Sequence, residues 1–153
     1  MTALRWIATG FGSGFFPWAP GTAGSLVGLA LWVAVPALPL EGGAWTWVFL
    51  AAMFALGVAA SGPAEKEFGE DGGPIVFDEI VGQWIAVAGL AVTPLTAIAG
   101  FVLFRVFDIV KPFPAGRSQS WGGGLGVMAD DVFAGIWAAL VLRLLLRFAG
   151  GGA

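Results

Sequence analysis

Between Asp78 and Val110 the chain is apolar apart from a few neutral polar residues, with charge only at its two ends: Asp78 and Glu79 at one, Arg105 and Asp108 at the other. As one straight helix this stretch would measure about 50 Å, well beyond a hydrocarbon core of about 30 Å. Thr93-Pro94 lies near its middle, and proline removes a backbone donor while pushing its predecessor out of helical geometry. A turn is therefore predicted there, folding the stretch into a hairpin that brings Asp108 back to the side of Asp78. Each arm is then about 20 Å long, which implies shallow insertion or local bilayer thinning.

The rest of the chain repeats this alternation of apolar stretches with short charged segments. Hydrophobic residues make up 58% and charged residues 11%, less than half the charge of an average soluble domain. Mean hydropathy is +0.89, so lipid rather than water is the expected solvent. The stretches lack the period-two pattern of membrane barrel strands, which leaves helices. One helix is predicted from Thr22 to Leu40 and a second from Ala44 to Ala60, with Gly42 and Gly43 between them. Ser61 to Pro74, carrying Glu65, Lys66, Glu67, Glu70 and Asp71, reads as a loop or short surface helix. A last helix is predicted from about Ala129 to Phe148, after Gly122, Gly123, Gly124 and Gly126. The expected fold is all-α: a small polytopic membrane helical bundle with a Pro-broken hairpin and its site at one membrane face. At 153 residues the chain, residues 1–153, forms one domain. Arg5 precedes an apolar run that resembles a signal peptide, but Gly10, Gly12, Gly14, Pro17 and Pro20 interrupt it and no cleavage is expected. Trp6, Trp18, Trp45, Trp47, Trp84 and Trp121 fall near segment ends, as interfacial anchors do.

Missing residue types narrow the chemistry. The chain has no Cys, His or Tyr, which excludes disulfides, thiolate nucleophiles, phosphohistidine and Ser-His-Asp triads. A net charge of -3 and a pI near 4.7 argue against nucleic acid as a partner, because counterion displacement needs a basic stripe. Gly10, Gly12 and Gly14 have neither a preceding strand nor a Walker lysine, so no nucleotide loop is read there. FDEIV and FDIV echo one another, but apolar flanks around an acid do not establish a duplication.

Five carboxylates sit at the edges of apolar segments: Asp78 and Glu79 in FDEIVG, Asp108 in FRVFDIVKP, and Asp130 and Asp131 in GGGLGVMADDVFAG. One acid at such a place is an ordinary helix start favoured by the macrodipole. Five at one predicted membrane face need a ligand, since a carboxylate in a membrane costs about 2.5–3.5 kcal/mol on insertion scales. Hard oxygen donors of this kind suit Mg2+, which polarises phosphoryl groups and activates water without His or Cys. An aspartyl-phosphate route is an alternative. Arg105 and Lys111 flank Asp108 as phosphate-binding cations, with Lys111 freed from the helix by Pro112 and Pro114. APGTAGS adds Thr22 and Ser25 near a helix N-terminus, where free amides receive anions; Thr22 is the expected N-cap.

APGTAGS, FDEIVG, FRVFDIVKPFP and GGGLGVMADDVFAG, in that order from about Phe11 to Gly135, resemble the signature blocks of the phosphatidylglycerophosphatase A family. The resemblance implies Mg2+-dependent hydrolysis of phosphatidylglycerophosphate to phosphatidylglycerol and phosphate at the bacterial inner membrane. It places the family's acidic site on Asp78, Glu79, Asp108, Asp130 and Asp131, with Lys111 and the Thr22/Ser25 loop nearby.

The predicted turns put Arg5, Lys66, Arg105, Lys111 and Arg117 on one side and Arg143 and Arg147 on the other, so the positive-inside rule makes the site face cytoplasmic in a multi-pass protein. Membrane lipid is the expected partner, and a homo-oligomer is open. Three other readings compete. A small ion or carboxylate transporter would need polar lining on the Glu41 side; a metal-dependent membrane phosphotransferase would carry a DGxxAR-like start, which is absent; a structural subunit would cluster acids without a ligand.

Overall fold

The computed structural model describes residues 2–69 and 72–150, all of them helix, turn or loop, with no strand among them. α1 spans Ala3–Ala8 and leads through a 3-10 segment, Gly10–Phe15, into α2, Pro20–Ala34. α3 follows at Ala44–Phe68, α4 at Phe77–Val87 and α5 at Pro94–Val110. A short α6, Ala115–Ser118, and a 3-10 turn, Gln119–Trp121, precede α7, Gly123–Phe148.

The chain does turn back between α4 and α5, at the predicted break. Thr93 caps α5 through a reciprocal pair with Thr96, and Pro94 takes the first helical turn, where its missing N–H costs nothing. The arms are unequal, however. α4 has 11 residues, about 16 Å, and α5 has 17, about 26 Å.

α4 is the centre of the bundle. Every one of its residues except Glu79 is buried, and α2, α3, α5 and α7 all pack around it. A helix buried on nearly every side fits only such a place. Its C-terminal end is capped from outside, by the Arg143 guanidinium of α7 donating to the Ala88 carbonyl. The Trp84 indole donates to the Gly28 carbonyl of α2 at 2.9 Å, so Trp84 is a core residue and not an interfacial anchor. Trp6, Trp18, Trp45, Trp47 and Trp121 are exposed, as anchors are.

Three predicted boundaries are corrected. α2 ends at Ala34, short of Leu40, because the Val35 to Leu40 segment turns on its own backbone bonds. α3 continues past Ala60 to Phe68 with Pro63 inside it. The extension is held by α1: Arg5 pairs with Glu67 at 2.8 Å and lies over the Phe68 ring, while Ala8, Ala60, Ala64, Ile75 and Val127 form a small core. Glu65, Lys66 and Glu67 therefore stand on helical turns; Glu70 and Asp71 lie outside the described residues. α7 begins at Gly123, six residues before the predicted start. Glycines there oppose helix propensity, and close packing explains them: a Cβ on Gly124 would run into the Val58 carbonyl of α3.

α3 and α7 are long and apolar enough to cross a membrane. Large apolar side chains such as Trp45, Trp47, Ile98, Leu140 and Phe148 face outward. Exposed apolar surface on this scale is suited to lipid.

Candidate active site

The first turn of α4 and the third turn of α7 meet at a group of carboxylates. Asp78 and Glu79 occupy the α4 start, where the helix dipole favours acids. Asp131 reaches them from α7, and one oxygen from each of Asp78, Glu79 and Asp131 lies within 4.8 Å of the others. Asp78 Oδ1, Glu79 Oε2 and Asp131 Oδ2 are buried without a hydrogen-bond partner. Asp108 comes back along α5 to interact with Asp131 and Glu79. It is already paired with Arg105 at 2.5 Å.

Asp130 is turned away from this group. Successive residues on a helix diverge by roughly 100°. Its Oδ1 accepts from the Asp131 amide at 3.0 Å, and its Oδ2 accepts from the Lys111 ammonium. Lys111 terminates α5 in a left-handed conformation, φ 48°, which swings its side chain onto α7. Partial burial works against its charge, but the hydrogen bond and charge of Asp130, with Asp131 and Asp108 beyond, raise its pKa above the ordinary lysine value. It stays an ammonium, with donors to spare beyond Asp130.

Arg105 points inward as well. Its Nη1 donates to Ser25 Oγ at 3.3 Å, and that hydroxyl donates to the Gly21 carbonyl at 2.9 Å. Ser25 thus braces the guanidinium rather than standing free. Thr22 is not the N-cap of α2; Ala19 holds that place in a left-handed conformation, with no side-chain bond. Thr22 lies on the helix and lines an apolar cavity.

Two residues escaped sequence reasoning. Gly21 packs so closely on Glu79 and Arg105 that a Cβ there would collide with the Glu79 carboxylate; its only sequence signal is a small residue in a Pro-Gly turn. Gln83, one turn along from Glu79, is fully buried with both amide atoms unpartnered. A lone polar residue four positions after an acid in an apolar helix was the available signal.

The donor set fits a hard divalent cation. Oxygen ligands at about 2.0–2.6 Å from an ion stand up to about 4–5 Å apart across it, the spacing of this triad. With Asp108 paired to Arg105 and Asp130 to Lys111, Asp78, Glu79 and Asp131 are left without an ion-pair partner among the described residues. Crowding their charges in an apolar bundle is costly unless a cation joins them.

Lys111→Gln is expected to lower kcat/KM about 10- to 100-fold, the worth of one charge-assisted hydrogen bond of about 1.5–3 kcal/mol. Initial-rate kinetics with the purified variant check this, and an unchanged kcat/KM would remove Lys111 from substrate binding.

An all-helical bundle with lipid-suited outer walls and a carboxylate centre has the form of a membrane protein with an acidic site. Residues 6–146 match the phosphatidylglycerophosphatase A family. The chain belongs to that family and is a phosphatase. It is 38% identical over 144 residues to the phosphatidylglycerophosphatase A of Escherichia coli, covering 91% of this chain and 81% of that one. It is 39% identical over 145 residues to that of Haemophilus influenzae, covering 93% and 88%. A Bacteroides thetaiotaomicron protein named putative phosphatidylinositol-3-phosphatase is 42% identical over 143 residues, covering 90% of each chain. No solved structure matches.

Proposed function

We propose that this chain hydrolyses phosphatidylglycerophosphate to phosphatidylglycerol and inorganic phosphate with the help of Mg2+. The observation that carries the reading is the convergence of Asp78, Glu79 and Asp131, each with one buried oxygen that has no hydrogen-bond partner among the described residues, in a chain of this family. These three would hold the ion, with Asp108 beside them. A bound divalent cation supplies charge to polarise the phosphoryl group and to activate water.

The remaining work falls to the chain's own residues. Lys111, fixed by Asp130, offers its free N–H groups to the phosphate oxygens, and Arg105, braced by Ser25, holds Asp108 in place through their ion pair. Gly21 lets the Glu79 carboxylate and the Arg105 guanidinium pack against α2, where a Cβ would displace them. In the overall reaction, water oxygen bonds to phosphorus, the P–O bond to glycerol breaks, and the departing glycerol oxygen takes a proton.

The test is phosphate release by the purified protein from phosphatidylglycerophosphate and, in parallel, from phosphatidylinositol 3-phosphate, the lipid in the Bacteroides protein's name. Release from the first lipid with Mg2+, abolished by excess chelator, is the expected result. Preference for the inositol lipid would reassign the substrate, and full turnover after chelation would reject the cation.

We place the protein in the bacterial inner membrane as a multi-pass protein, with the site facing the cytoplasm. Support comes from five basic residues on the site side, three of them ion-paired as Arg5–Glu67, Arg105–Asp108 and Lys111–Asp130, against Arg143 and Arg147 opposite. A cysteine placed at exposed Gly116, beside the site lysine in a chain otherwise free of cysteine, is expected to resist membrane-impermeant thiol reagents in intact cells and to react after permeabilisation. Labelling in intact cells would invert the topology.

A further inference from the structure

Beside the carboxylate site, a cavity of about 560 Å³ is lined by the 3-10 segment and α2, including Phe15, Phe16, Trp18, Ala23 and Leu26. Its size lies within the range of pockets that enclose small-molecule ligands, about 300–1,000 Å³. Its walls are apolar, and the Ser13 hydroxyl in them is occupied by the Gly10 carbonyl at 2.9 Å.

α2 separates this cavity from the acids. Gly21 and Ser25, one turn apart, face Glu79 and Arg105. Ala19, Thr22, Ala23 and Leu26, at spacings of three and four, line the cavity. A single helix, roughly 10–12 Å across with its side chains, therefore stands between the two. Phe11, just before the lining segment, and Ala19, where it enters α2, hold left-handed backbone at φ 56° and 54°. Side-chain-bearing residues rarely adopt that conformation, and such strain gathers at ligand clamps. The mouth is rimmed by exposed Phe16 and Trp18 and so continues the lipid-facing surface.

We propose that this cavity receives an acyl chain of the lipid substrate, with the headgroup crossing the first turn of α2 so that its terminal phosphate meets Lys111 and the carboxylates. The proposal rests on the lipid-phosphatase reading above. In a phosphatidylglycerophosphate, a glycerol and a phosphodiester separate the terminal phosphate from the acyl esters, a spacer suited to passing over one helix. An acyl chain fits better than a peptide, because these walls offer almost nothing to a peptide's N–H and C=O groups. It also fits because the mouth opens where lipid already is.

The test fills the cavity from within by Ala23→Trp, with Leu26→Trp as a second variant should the first fail to fold. Kinetics are compared on dipalmitoyl and dibutyryl phosphatidylglycerophosphate. For the long-chain substrate kcat/KM is expected to fall at least about 10-fold, mainly through KM, with the short-chain value unchanged. A readout independent of turnover is photocrosslinking of phosphatidylglycerol carrying a diazirine at the acyl end, in detergent micelles, mapped by mass spectrometry. Labelling concentrated in residues 12–27 of the parent protein, and lost in the variants, supports the cavity. Equal effects on both substrates, or label spread evenly over the lipid-facing surface, would overturn it. If the parent protein hydrolyses neither lipid, the proposed activity fails, while the crosslinking still decides the occupant.

Discussion

Asp131→Asn is expected to lower turnover by about 10²- to 10³-fold, the usual scale for removing one charged contact at the reacting centre, while the protein stays folded. Asn keeps the shape of Asp131, which is 2% exposed, and removes a charge that no hydrogen bond compensates at Oδ2. The same substitution relieves repulsion among Asp78, Glu79 and Asp131. In chelator the melting temperature of the variant is therefore expected to equal or exceed that of the parent, and its rise on adding Mg2+ to be smaller. Phosphate release and thermal melts with and without Mg2+ measure both. Parent-like turnover would take Asp131 out of the site, and a collapse in folded yield would make its role structural.

Gly135→Leu is expected to prevent recovery of folded protein, and Gly135→Ala to leave a folded protein slowed about 100-fold. Gly135 sits one turn beyond Asp131 on α7, against α4, where an added Cβ would meet the Gly82 carbonyl and come within 3.0 Å of the Ile85 Cβ. Neither the backbone nor Ile85 can yield without moving a helix. Overpacking of this sort costs about 1–3 kcal/mol or more, out of a total stability of about 5–15 kcal/mol. The smaller methyl shifts α7 relative to α4, and a displacement of about 1 Å at a reacting centre costs about 10²-fold. Circular dichroism and gel filtration establish folding, and initial rates establish the slowing. A Gly135→Ala variant with parent-like rates would show that the helix crossing does not set the carboxylate spacing.

Much of this arrangement could be read from the chain. Thr93-Pro94 in an overlong apolar stretch required a turn, and the turn necessarily carried Asp108 back to Asp78. Acids at apolar edges required a common ligand, and Asp78, Glu79 and Asp131 do converge. What could not be read depended on contacts between elements. The Gly123 to Gly126 run is helical because Gly124 lies against α3, and propensity alone argues the opposite. Pro63 sits inside α3 because α1 holds the turns around it. The division of labour between Asp130 and Asp131 needed the αL geometry of Lys111. Trp84 looked like an anchor because sequence shows nearness to a segment end, not that four helices surround that segment.

The short, enclosed α4 bears on how such a protein is made. At about 16 Å it cannot cross the bilayer by itself, and its polar residues Asp78 and Gln83 find no shelter in lipid. α7, which covers α4 and supplies Asp131, is translated later, so the nascent chain carries half a site with nowhere to settle until that helix emerges from the ribosome. Maturation of the carboxylate centre thus waits on α7, and a chain halted before that helix has neither a stable α4 nor a functioning centre.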